Sequence, residues 1–247
     1  MELLSQSGHL KGRFLTTRWS WVDAACDLAS PESLPALERL CQAYWPSLYA
    51  FALRRGRDPH LAQDLTQAFF ARFIERGYLR AADRERGRFR TFLLTSFEHF
   101  LIHEWEKRRA AKRGGQYELL SWDDHRDALE ARVASTAADV SAQTVYDREW
   151  ALSIMERALA ALREDCQRLG QEKVFEVLGR YLHAEAVPGE YPRAAAELGL
   201  PERAVRLAVH RLRRRYGRLV RDAVRETVAS EADLGDEMRY LVELISS

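Results

Sequence analysis

The stretch YPRAAAELGLPERAVRLAVHRLRRRYGRLVR, residues 191–221, contains two helix-forming segments separated by Gly199, Leu200 and Pro201. Two helices that cross closely need small residues at the crossing, a turn residue that tolerates unusual backbone angles, and apolar anchors on both sides. Ala194 and Ala195 suit the crossing and Gly199 the turn, with Leu198, Leu200, Val205 and Ala208 as anchors. Pro192 and Pro201 each suit a helix's first turn. With Val205, Val209 and Leu212 facing inward, Arg203, Arg206, His210, Arg211 and Arg214 project outward together. This spacing predicts a helix-turn-helix whose second helix offers guanidinium forks to base edges and phosphates.

The charge pattern supports that reading. Residues 203–221 hold eight arginines and no acidic residue, although the chain as a whole has 38 Lys+Arg against 37 Asp+Glu. Like charges repel in so short a stretch unless an anion is near, and ordinary surface helices mix signs. Arg213, Arg215, Arg218 and Arg221 are expected on the flanking DNA backbone, setting register and not sequence.

Upstream, the same helical grammar continues. Ser20 or Thr17 is a candidate cap for a short helix, and the next segment repeats Leu37, Leu40, Cys41, Tyr44, Leu48 and Phe51 at three- and four-residue steps. Asp58 is the expected cap of a third helix, with Pro59 in its first turn and Gly77 as its stop. Residues 86–115 predict a fourth helix, apolar first and then basic. Between 114 and 147 the composition turns acidic and rich in Ala, Ser and Thr with weak periodicity, which predicts an extended connector. A second helical block follows, and the acidic tail carries one short helix. Strict alternation of β-branched residues is missing, so the fold class is all-α.

Several function classes fall away. No apolar run is long enough to cross a bilayer, and the first residues lack signal-peptide character, so a cytoplasmic protein without a membrane partner is expected. Cys26, Cys41 and Cys166 match no metal-ligand spacing. His99 and His103 stand one helical turn apart, but Phe100 occupies the place where a zinc protease needs glutamate. No metal, cofactor or catalytic residue is expected.

A second basic cluster, Lys107, Arg108, Arg109, Lys112 and Arg113, follows Phe89, Phe92, Phe97, Phe100 and Trp105. Exposed rings stack on unpaired bases while cations track the backbone, a combination suited to single-stranded or melting DNA. Phe97 and Phe100 are expected in the core instead.

In this order, the segments resemble bacterial sigma factors of the sigma-70 class, most closely the extracytoplasmic-function group in a planctomycete-like form. AQDLTQAFFARF resembles the region-two helix that docks on polymerase, residues 86–115 the promoter-melting segment, and residues 191–219 the region-four helix-turn-helix. The resemblance implies an N-terminal extension (1–34), sigma region 2 (35–113), an acidic linker (114–147), sigma region 4 (148–228) and an acidic tail (229–247). It assigns Asp64, Leu65, Gln67, Phe70 and Arg72 to polymerase docking. It assigns His103, Glu104, Lys107, Arg108, Lys112 and Arg113 to the minus-ten strand, and Arg203, Arg206, His210, Arg211 and Arg214 to the minus-thirty-five element. The implied partners are core RNA polymerase, promoter DNA, and an anti-sigma factor or regulatory kinase. The family often has acids where this chain has Gln63 and Ala68, an acid at Arg193, and a capping Ser or Thr at Pro201. A stand-alone helix-turn-helix regulator that does not engage polymerase is the alternative.

Overall fold

A computed structural model of the chain describes residues 19–27, 30–56, 58–83, 87–110, 126–184, 186–225, 227–228 and 230–246. Among them, ten α-helices and two 3-10 turns are present and no strand is found. The helices are α1 (Trp19–Cys26), α2 (Ser33–Arg54), α3 (Pro59–Glu75), α4 (Phe89–Ala110), α5 (Arg126–Ser135) and α6 (Ala142–Arg168). α7 (Glu172–Leu178), α8 (Glu190–Leu198), α9 (Glu202–Arg225) and α10 (Glu231–Ser246) follow. The 3-10 turns lie at Tyr78–Ala81 and Gly179–Leu182. No helix of the described residues is long and apolar enough to cross a membrane.

Local chemistry sets most helix ends. The Asp58 carboxylate accepts from the Leu61 amide at 3.1 Å, with Pro59 following, so α3 starts where the sequence predicts. Gly77 adopts φ +63° just after α3 ends, a left-handed conformation that favours glycine. Ser20 falls within the span of α1, while Thr17 falls outside the described residues.

α2 is apolar on nearly every side and so lies at the centre of its neighbours. Tyr44, Leu48, Tyr49 and Phe51 are fully buried, and α1, α3, α5 and α6 all pack on it. One continuous core runs from Trp19 through Trp150 to Leu244. Long α6 forms the shared wall, against which α2, α9 and α10 all pack.

The stretch read as an extended connector behaves differently where it is described. α5 occupies 126–135, and α6 begins at Ala142 with Ser141 capping the Thr144 amide at 3.0 Å. Weak amphipathicity concealed α5, which is held by contacts from outside it. Leu129 and Val133 are buried one turn apart. Tyr49 donates to Glu130 at 2.6 Å, and Arg132 binds Glu149 through both Nε and Nη2. Arg54 closes the end, donating to the Val140 carbonyl at 2.9 Å and to those of Thr136 and Ala137.

A polar cluster is buried where α4, α6 and α10 meet. Arg90, 6% exposed at its side chain, binds Glu237 at 2.9 Å and also Asp147, both almost fully buried. Its guanidinium lies 4.6 Å from the Trp150 ring and 4.9 Å from the Tyr240 ring. Tyr240 donates to Asp147 at 2.8 Å, Tyr146 donates to the Arg90 carbonyl at 2.9 Å, and Arg88 reaches Glu237 at 2.8 Å. Burial opposes the charge on Arg90, but the carboxylates of Glu237 and Asp147 outweigh it and raise its pKa.

Candidate nucleic-acid interface

Two surfaces carry the residues singled out by the sequence. The first is a cleft of about 570 Å³ between α3, the Tyr78–Ala81 turn and α4. Phe69, Phe73, Phe92 and Phe100 form its floor, and Arg72, Arg76, His99, His103 and Lys107 bring cationic or titratable groups to its lining. The aromatic floor is fixed by edge contacts, with Phe69 5.0 Å from Phe97 and 5.7 Å from Phe100. Helical spacing explains the division: Phe97 and Phe100 turn into the core as expected, while Trp105 and Ile102 stay about half exposed. Sequence reasoning missed the contribution of Tyr78, Arg76 and His99, because the turn after α3 brings the first two beside α4 only in three dimensions.

Glu104 is central to the electrostatics of this cleft. It accepts from Arg72 at 3.2 Å and from Lys107 at 3.3 Å, while His103 lies 3.6 Å from Glu106. The side chains of Arg108 and Arg109 lie outside the described structure, as do Lys112 and Arg113 entirely. His99 and His103 both face the cleft, yet no group of three or more His, Cys, Asp or Glu is arranged to hold a metal among the described residues.

The residues assigned to polymerase docking do not share one face. Asp64 is exposed and Gln67 half-buried, whereas Leu65 and Phe70 lie in the core at 6% and 8% exposure. Arg72 belongs to the cleft. A helix that buries Ala62, Leu65, Thr66, Phe69 and Phe73 presents His60, Asp64, Ala68, Ala71 and Glu75 on its other side, so the apolar members of the docking set are turned inward.

The second surface is the outer face of α9. Val205, Val209 and Leu212 are buried, and Arg203, Arg206, His210, Arg211 and Arg214 are all exposed, in the register the periodicity predicts. The turn before α9 is a Schellman closure: the Leu200 amide donates to Ala195 at 3.0 Å and the Gly199 amide to Ala196 at 3.3 Å, with Gly199 at φ +65°. Leu200 is 40% exposed and does not anchor the turn. Arg206 is held in place, bound to Glu202 at 2.6 Å and lying 4.8 Å from the Tyr191 ring. Among the described residues, Arg203, His210, Arg211 and Arg214 form no ion pair.

The arginine run therefore divides by direction. Arg213 donates to the carbonyls of Tyr181 and Ala184, both at 2.8 Å, and fastens the 3-10 turn to α9. Arg215 binds Asp165 at 3.3 Å, and Arg221 reaches Glu231 at 3.5 Å. Three of the four arginines expected on the DNA backbone instead bind the protein itself, because they fall on the flanks of α9 nearest α6, the 3-10 turn and α10.

Residues 40–111 match the family model for sigma-70 region 2. The matched segment contains most of α2, all of α3 and α4, and thus every residue lining the cleft. No curated protein and no solved structure matches the chain. The match covers less than a third of the chain and supports a sigma-70-type role in RNA-polymerase-directed transcription.

Proposed function

We propose that this chain, similar to sigma-70 region 2 over residues 40–111, is an alternative sigma factor of the extracytoplasmic-function type that selects promoters for core polymerase. One observation carries the reading: the matched segment is the one that builds the cation-lined aromatic cleft. An unpaired base needs a π-surface to replace the stacking it loses, and cations to hold its phosphate. The cleft has both, with Lys107 on its lining, and it captures the opened minus-ten strand.

Region 4 in this reading comprises α6 to α9, with α8 and α9 as the helix-turn-helix. The exposed face of Arg203, Arg206, His210, Arg211 and Arg214 on α9 reads the minus-thirty-five element in the major groove, with Arg206 exchanging Glu202 for a base edge. Asp64, on the open side of α3, contacts polymerase. The bond making is polymerase's; this chain binds, positions and selects.

Transcription in vitro with core polymerase on a promoter library tests the proposal. The chain is expected to direct initiation from a small subset of templates and to co-purify with polymerase, and co-purification is expected to be lost in Asp64→Lys with Gln67→Ala. Sequence-specific DNA binding with no association with polymerase would refute the proposal in favour of a stand-alone regulator.

A further inference from the structure

One apolar side chain stands on the face of α9 that otherwise carries only basic groups. Six residues from Arg203 to Arg214 are exposed, and Leu207 is the only one of them without a basic side chain. It is the sixth residue of the helix and 48% exposed, outside the buried core. Val205, Val209 and Leu212 set the inward direction of α9. At about 100° per residue, Leu207 and Arg214 point within about 15° of the opposite direction. Arg203 and His210 lie on one side of that ridge and Arg211 on the other. A lone exposed leucine on a mixed surface needs no partner, but the residue at the crest of a helix is the one that a groove holding the helix meets first.

Five basic side chains around the crest suit a polyanion, and base edges are met by the N-terminal half of a recognition helix, where Leu207 lies. In the major groove guanine, cytosine and adenine present hydrogen-bonding groups, whereas thymine adds a C5-methyl group beside its O4 acceptor. Leucine has no donor or acceptor on its side chain. Pressed against a polar edge, it strips water from that edge and leaves a group unpaired, which is unfavourable. Pressed against the thymine methyl, it buries apolar surface on both sides. Both effects act in the same direction, so a leucine at the crest selects thymine by attraction and by exclusion.

We infer that Leu207 is a base-reading residue, and that its ligand is the C5-methyl group of one thymine in the duplex element that α9 engages. The inference rests on the proposal that α9 enters the major groove. It divides the reading face by chemistry: the basic side chains read hydrogen-bonding edges and hold phosphates, and Leu207 among them reads an apolar one.

Deoxyuridine, which lacks that methyl group and is otherwise thymidine, tests the assignment. The full chain with core polymerase selects promoters from a random library, and each thymine of the upstream element is then replaced singly by deoxyuridine. The wild type is expected to lose about fourfold in affinity at one thymine, the effect of burying one methyl group. Leu207→Ala is expected to bind the thymine template about as weakly as the wild type binds the deoxyuridine one, and to lose nothing further on that replacement. Its salt dependence is expected to match the wild type, because no phosphate contact is removed. Leu207 lies outside the core and alanine favours helix, so the variant keeps its fold. If no upstream element is selected, the promoter-reading proposal fails and the thymine assignment with it. If an element is selected but no thymine in it responds, or Leu207→Ala leaves the response unchanged, the reading proposal stands and the assignment to Leu207 is overturned. A Leu207→Ala variant that loses polymerase and keeps the thymine response places the residue against protein and overturns the assignment as well.

Discussion

Replacing Arg90 by alanine removes the main partner of two carboxylates that are almost fully buried, Asp147 and Glu237. Breaking a buried pair on one side typically costs 3–5 kcal/mol, because the remaining charge stays desolvated. Two features place this case at the lower end. Arg88 still reaches Glu237 at 2.8 Å, and Tyr240 still donates to Asp147 at 2.8 Å. The lost contacts of the guanidinium with Trp150 and Tyr240 act in the other direction. The expected loss is about 3 kcal/mol, which for a chain of this size lowers Tm by roughly 6–12 °C. Urea unfolding followed by circular dichroism, with a thermal scan beside it, measures both. A companion in which Arg90→Met, Asp147→Asn and Glu237→Gln are combined should recover most of the loss, since it leaves no buried charge. A loss under about 1 kcal/mol for Arg90→Ala would mean that water reaches the carboxylates and that the cluster is not buried as described.

Other outcomes follow from single features. Gly199→Ala forces a side chain into φ +65° where nothing crowds the added Cβ, so only backbone strain acts, and a loss of about 1 kcal/mol is expected in the same unfolding assay. Asp58→Ala removes the cap on the Leu61 amide and should cost about 1 kcal/mol, with Asp58→Asn nearly neutral. Arg206→Ala should relax selection at one base position by about 1–3 kcal/mol in a library binding assay. Lys107→Ala should instead weaken all sequences alike and reduce the salt slope by about 0.7. Burial pushes the Tyr216 phenol up to about 12, with Glu156 adding to it. The protonated form is favoured by folding, so its stabilisation is complete below pH 10 and is lost as pH rises toward 12; Tyr216→Phe should flatten alkaline unfolding in that window.

Much of the interface is legible in the order of the residues. Asp58, Pro59 and Gly77 delimit α3 by local rules, and the outward register of Arg203, Arg206, His210, Arg211 and Arg214 follows from where Val205, Val209 and Leu212 must go. The docking set is less legible. Asp64, Leu65 and Phe70 are close in sequence, yet a helix turns about 100° per residue, and the two apolar ones face the core. The cleft needs the turn at Tyr78 to bring a loop against α4, a juxtaposition that no periodicity encodes.

By itself the sequence determined most of the helices, the Asp58 cap of α3, the turn at Gly199 and the buried stripe of α9, because these depend on residues within one or two turns of each other. It also determined that positive charge collects on α9. Only the tertiary structure decided what each buried stripe meets: that α6 is shared by α2 and α9, that residues 126–135 fold onto α2, and that Arg213 and Arg215 bind inward while Arg211 and Arg214 do not. Identical side chains in one run diverge because their partners lie on other helices, and periodicity fixes the direction a residue faces without identifying what stands opposite. Arg90 is the limiting case, since its partners Asp147 and Glu237 come from two later helices and only folding brings their charges together.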